Sequence, residues 1–165
     1  MKKTIYMMFS AFVLMSFFAC GPTKEDAIKY NDEIIVEQRK VVNAENDLTG
    51  AIKSNAGNLD AVLAKLVAQV DESTATVTKM ESFDKKTEFK DAALKLFAVY
   101  KDVATGEYKA WLANLKTPAE MVDDKVLAEE TELVAKINEK IDKALNDFTK
   151  AQDDFAAKYK FEIAK

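Results

Sequence analysis

The stretch AIKYNDEIIVEQRKVVNAENDLTGAI, residues 27–52, decides the fold. Its apolar residues recur at seven-residue intervals, as Ala27-Ile28, Ile34-Ile35, Val41-Val42, then Leu48 and Ile52. At about 100° per residue, seven steps return to within about 20° of the starting direction, so these side chains form one stripe on an α-helix. A strand would need alternation at every second residue, and none is sustained. The helix should stop near Ser54, because Asn55 and Gly57 readily take left-handed backbone conformations.

The same periodicity returns downstream. Asn58 is placed to cap a second segment along which Leu59, Val62, Leu63, Leu66, Val70, Val77 and Met80 line up, with poor helix formers at Ser73-Thr74-Ala75-Thr76. After Ser82-Phe83-Asp84, a third carries Phe89, Ala93, Leu96, Phe97, Tyr100, Val103, Ala104, Tyr108, Trp111, Leu112 and Leu115; Gly106 inside it predicts a kink or a close approach. Thr117-Pro118-Ala119-Glu120 then reads as a capping box, with threonine as N-cap, proline first and glutamate third. It opens a fourth seam through Val134, Ile137, Ile141, Ala144, Leu145, Phe148, Ala151, Phe155 and Tyr159, whose first turns should overhang the others or break near Asp123-Asp124. Short turns force consecutive helices to run antiparallel. The expected fold is therefore all-α, an antiparallel up-down four-helix bundle over residues 26–165, with helices near 26–54, 58–82, 84–115 and 118–163.

Composition removes whole classes of chemistry. The 165 residues include no histidine, one cysteine, four glycines and two prolines. Without imidazole there is no Ser-His-Asp triad, His-activated thiol, Cys/His zinc site or Glu-x-x-His di-iron centre. Neither a P-loop nor a dinucleotide fingerprint is present. Acids are grouped at Asp123-Asp124, Glu129-Glu130-Glu132 and Asp153-Asp154, but neighbours on a helix diverge by about 100° and do not jointly grip one cation. They read as solvated faces, and the lysines, interleaved with acids as in Lys136-Ile137-Asn138-Glu139-Lys140, form no basic patch. The expectation is a protein that is not an enzyme and holds no cofactor or metal.

The N-terminus carries an address. Lys2 and Lys3 precede an apolar run from Ile5 to Ala19, 15 residues broken only by Ser10 and Ser16. That is short of the roughly 20 residues a helix needs to cross a bilayer, and it fits a secretory signal peptide over residues 1–19. A membrane helix or an exported protein without an anchor are the competing readings. Phe17-Phe18-Ala19-Cys20-Gly21 resembles the lipobox of bacterial lipoproteins, which implies cleavage before Cys20 and acylation of its thiol. Residues 20–25 would then be a lipidated tether, and acyl chains such as palmitate, at about 0.8 kcal/mol per buried methylene, would hold the protein on a membrane. Lys24-Glu25-Asp26 resembles the surface-export signal of Bacteroidota lipoproteins, implying an outer-membrane and cell-surface location; as residues alone they also suit the acidic first turn of a helix. Removing residues 1–19 deletes two lysines and no acids, leaving 22 basic against 28 acidic side chains. So acidic a domain is a poor electrostatic partner for nucleic acid.

Two groups of residues stand out in the bundle. Asn31, Gln38 and Glu45, seven apart, fall near the centre of the first apolar stripe, where an unsatisfied polar group costs about 1–3 kcal/mol. They set helix register if Ser73, Asn114 or Gln152 answers them, or else line a polar cavity for a small ligand. Tyr100, Tyr108 and Trp111 share one side of the third helix, as core or as an aromatic contact surface. Tyr30-Asn31-Asp32-Glu33-Ile34-Ile35-Val36-Glu37-Gln38, shortly after the cysteine, resembles the opening helix of a group of uncharacterised bacterial all-helical surface lipoproteins, which implies a fold and a location but no activity. The expected function is a non-enzymatic cell-envelope lipoprotein acting as a binding or structural surface module, its partner an unknown protein or small molecule; the alternative is a small-ligand carrier using a polar cavity around Asn31, Gln38 and Glu45.

Overall fold

A computed structural model describes residues 21–163. Cys20 and the apolar run before it lie outside the described residues, so the expected signal peptide, lipobox and anchor do too. The chain folds into helices α1 (Lys24–Lys53), α2 (Leu59–Lys79), α3 (Glu88–Val103), α4 (Lys109–Asn114) and α5 (Asp124–Tyr159). A π-helical turn, Ala104–Tyr108, joins α3 and α4 without a break. These two are thus one rod, the third of an antiparallel four-helix bundle.

Cross-helix contacts establish the antiparallel register. Lys116, Lys101 and Lys90 reach Asp60, Asp71 and the Thr78 carbonyl in turn, so α2 ascends as the third rod descends. Lys140 pairs with Asp102 while Phe89 stacks on Phe155, which fixes α5 against α3. Asn31 meets Gln152, closing α1 against α5 near the end where α1 starts. The base of the bundle thus holds the start of α1, the α2–α3 connection and the end of α5. The opposite end holds the α1–α2 turn and the segment Leu115–Asp123.

The four stripes meet in a single core. Ala27, Ile34, Val41 and Leu48, one residue from each heptad of α1, are fully buried with Leu66, Val70 and Val77 of α2. Leu96, Phe97, Val103 and Leu112 complete it from the third rod, and Ile137, Ile141 and Phe148 from α5. The poor helix formers at Ser73–Thr76 remain helical, because Ser73 and Val77 are buried against α1 and packing overrides propensity.

Three boundaries differ from expectation. α1 starts at Lys24, so Lys24-Glu25-Asp26 is its first turn rather than part of an extended tether. Thr23 caps it: its hydroxyl accepts from the Asp26 N–H, and the Asp26 carboxylate accepts from the Thr23 N–H at 2.9 Å. The Thr23 N–H and, at 2.8 Å, the Thr23 hydroxyl both donate to the Asp26 carboxylate and hold its pKa below the ordinary range. The capping box expected at Thr117 does not form. The Thr117 N–H instead closes the end of α4 on the Asn114 carbonyl, Pro118 is extended (ψ 139°), and Ala119–Met121 makes a single 3-10 turn. Asp123 is the working cap, its carboxylate accepting from Lys125 N–H and Val126 N–H at 3.0 Å each. Two start signals compete, and the acid that satisfies two free amides prevails. The third helix begins at Glu88, not Asp84, because Asp84 and Lys85 both adopt positive φ (52° and 58°) in a tight turn closed by Lys86 N–H to the Phe83 carbonyl.

Gly106 was expected to mark an irregularity, and it sits within the π-turn. Ala104 and Tyr108, at the two ends of that turn, both face the core.

Candidate functional site

The polar residues of α1 are answered by the helices around it. The Gln152 side-chain amide donates to the Asn31 carbonyl oxygen at 2.9 Å in a buried contact. The Tyr108 hydroxyl donates to a Glu45 carboxylate oxygen at 2.5 Å. Gln38 is half-buried between them in sequence and makes no such cross-helix bond. The residue that sequence reasoning missed is its neighbour Glu37, 6% exposed. Its carboxylate accepts from the Ser73 hydroxyl at 2.9 Å and pairs with Lys40 at 2.7 Å, and Gln69 donates to the same hydroxyl at 3.1 Å. Glu37 raises the pKa of Lys40 by accepting its hydrogen bond. The apolar stripe masked Glu37, because a helix in a bundle has neighbours on both sides of its seam. Asn31 faces α5, Glu37 faces α2 and Glu45 meets the third rod.

Burial separates the three aromatic residues that periodicity leaves open to either reading, core or contact surface. Tyr100 and Tyr108 are 2% and 1% exposed and belong to the core. Burial is the main reason their hydroxyls ionise well above the ordinary tyrosine value; Tyr100 also feels the charges of Glu45 and Asp142, and Tyr108 its bond to Glu45. Trp111 stacks on Tyr108 with ring centroids 6.2 Å apart, but it is only half-buried. It lines an open cavity of about 350 Å³ with Leu127, Glu130, Thr131 and Val134 of α5.

That cavity belongs to an apolar surface at the end of the bundle away from the start of α1. Leu115, one turn beyond Trp111, is 41% exposed; Met121, Val122 and Leu127, in the connection and first turn of α5, are 66%, 40% and 52% exposed. No residue of α5 before Ile137 is buried, so its first three turns extend with one side of their seam uncovered. Large apolar side chains scattered singly need no explanation, but four exposed ones between Leu115 and Leu127, at the same end as a half-buried tryptophan, do.

At the base, Tyr30, Phe83, Phe89, Phe148, Phe155 and Tyr159 form a continuous aromatic cluster, with centroid separations from 4.8 to 5.7 Å. A cavity of about 360 Å³ opens beside it, rimmed by Lys86, Lys90 and Lys158. Two of these cations already have structural partners. Lys90 donates to the Thr78 and Met80 carbonyls at the end of α2, and Lys158 lies 4.7 Å over the Tyr159 ring and 3.5 Å from Asp84. Phe83 enters the cluster from a turn, so helical periodicity carried no trace of it.

Among the described residues no three acidic or cysteine side chains converge in a way that would hold a metal ion, and no helix is long and apolar enough to cross a membrane. The grouped acids at Asp123-Asp124, Glu129-Glu130-Glu132 and Asp153-Asp154 lie along the outer faces of α5 and its cap. Comparison with protein-family models, curated proteins and solved structures finds no match to this chain.

Proposed function

We propose that this protein is a non-enzymatic cell-envelope lipoprotein, anchored in the outer membrane through acylated Cys20 and facing the cell surface, where it serves as a binding or structural module. The observation that carries the reading is the adjacency of Phe17-Phe18-Ala19-Cys20-Gly21 to a rigid rod that begins at Lys24. Three residues, Gly21, Pro22 and Thr23, separate the anchor from the helix, a reach of about 10 Å at full extension. The base of the bundle would rest close to the lipid headgroups. The 30 residues of α1, rising about 1.5 Å each, would carry the opposite end roughly 45 Å outward.

A catalytic role has little behind it. Three polar pairs drawn into the core are engaged with one another, Gln152 with Asn31, Ser73 with Glu37 and Tyr108 with Glu45, and histidine is lacking. The carrier reading needs a cavity beside Asn31, Gln38 and Glu45, and the side chains of Gln152 and Tyr108 fill two of those three places. Membrane fractionation tests the anchor. Cys20→Ser should move the protein from the detergent phase to the aqueous phase and abolish incorporation of labelled palmitate. Retention in the detergent phase would refute the anchor.

A further inference from the structure

The surface around Trp111 combines two properties that select a partner. The first is uncovered apolar area: Leu115, Met121, Val122 and Leu127 are each at least 40% exposed, and Leu127 lines the open cavity between Trp111 and Val134. The second is charge. Between Thr117 and Val134 the chain carries six carboxylates, Glu120, Asp123, Asp124, Glu129, Glu130 and Glu132, against the single lysine Lys125. Glu132 has an ion-pair partner in Lys136, and Asp123 caps α5.

We infer that this end of the bundle docks a basic amphipathic helical segment of another protein, its apolar face against Trp111 and Leu127 and its Lys or Arg side chains against Glu130, which lines the cavity, and the acids at the start of α5. A groove walled by two helices receives such a segment as other helix-in-groove sites do, through apolar anchors spaced by one turn. Charge decides against the other occupants. A second copy of this chain would bring Glu130 and the same acid-rich start of α5 against themselves, and like charges across an interface oppose association. An anionic lipid surface would be repelled for the same reason. The site gives the envelope module its partner class, and in that respect it rests on the function proposed above.

Trp111 is the only tryptophan in the chain, so its emission reports on this surface alone. The probe is a Leu/Lys amphipathic peptide of about five helical turns bearing a nitroxide quencher, added to the full chain in neutral detergent. Two control peptides carry the label: one acidic, one with the same basic composition scrambled so that it has no apolar face. The amphipathic basic peptide should quench Trp111 saturably, and the controls should not. Leu127→Asp should raise the half-quenching concentration at least about tenfold, as loss of an interface anchor does. Leu127 is half-exposed, so the helical circular dichroism should be unchanged. Glu130→Gln should weaken quenching severalfold and flatten its dependence on salt. Absence of saturable quenching, equal quenching by the acidic peptide, or no effect of Leu127→Asp would overturn the inference. So would a concentration-dependent dimer, seen by sedimentation, that Leu127→Asp abolishes. None of these results depends on Cys20, so failure here is separable from failure of the anchor.

Discussion

Replacing Tyr108 by Phe tests the polar interior through an effect that changes with pH. The substitution removes one hydroxyl and keeps the ring that packs in the core and stacks on Trp111. The lost hydrogen bond runs to the carboxylate of Glu45, and bonds to charged groups contribute about 1.5–3 kcal/mol. Glu45 is half-buried and regains some water, so a loss near 2 kcal/mol is expected at neutral pH. The sign then follows from ionisation. Tyr108 has a raised pKa in the fold, caused by burial first and by Glu45 second. The unfolded chain releases that proton near the ordinary value of 10.0 while the folded chain keeps it. The stabilisation is therefore complete below about pH 10 and is lost as pH rises toward the folded-state pKa, at about 1.4 kcal/mol per pH unit. Phenylalanine has no such proton. Tyr100 behaves alike in both proteins and cancels from the difference. The deficit of Tyr108→Phe should thus shrink from about 2 kcal/mol near pH 7 to about 0.6 kcal/mol near pH 11. Urea unfolding of both proteins across this range, followed by circular dichroism, measures it. A deficit that stays constant or grows with pH would refute the coupling, and a neutral-pH deficit below about 0.5 kcal/mol would mean that the Glu45 bond adds no stability.

Further expectations concern the helix starts and the cross-helix amide. Asp123→Ala should cost about 1 kcal/mol in chemical denaturation, whereas Thr117→Ala should stay within about 0.5 kcal/mol; the reverse order would place the start of α5 at Pro118. Asn31→Leu should destabilise by about 1–3 kcal/mol because it strands the buried Gln152 donor, and adding Gln152→Leu should restore part of that loss. Simple additivity of the two changes would show that the pair is not coupled.

Much of the bundle was legible because burial and helix geometry share one period. Ala27, Ile34, Val41 and Leu48 were identifiable as core from spacing alone, and all four are fully buried. Local breakers were readable too, since Asn55 takes the left-handed conformation expected of it and Gly106 sits in a π-turn. Legibility ended where two local signals competed or where a partner lay far along the chain. Thr117-Pro118-Ala119-Glu120 is a sound start signal by itself, and only the geometry of the connection shows Asp123 taking that place. Glu37 resembles any exposed helix acid until Ser73, 36 residues away, is brought against it.

The amino-acid sequence by itself therefore determined the number of helices, their antiparallel order and the apolar line each turns inward, because these follow from periodicity and short connections. The tertiary structure decided which polar residue meets which, that Tyr100 and Tyr108 are core while Trp111 reaches the surface, and that the far end keeps its apolar side chains uncovered. Such facts depend on what stands opposite each side chain, and a helix has more than one neighbour, so its own period does not specify them.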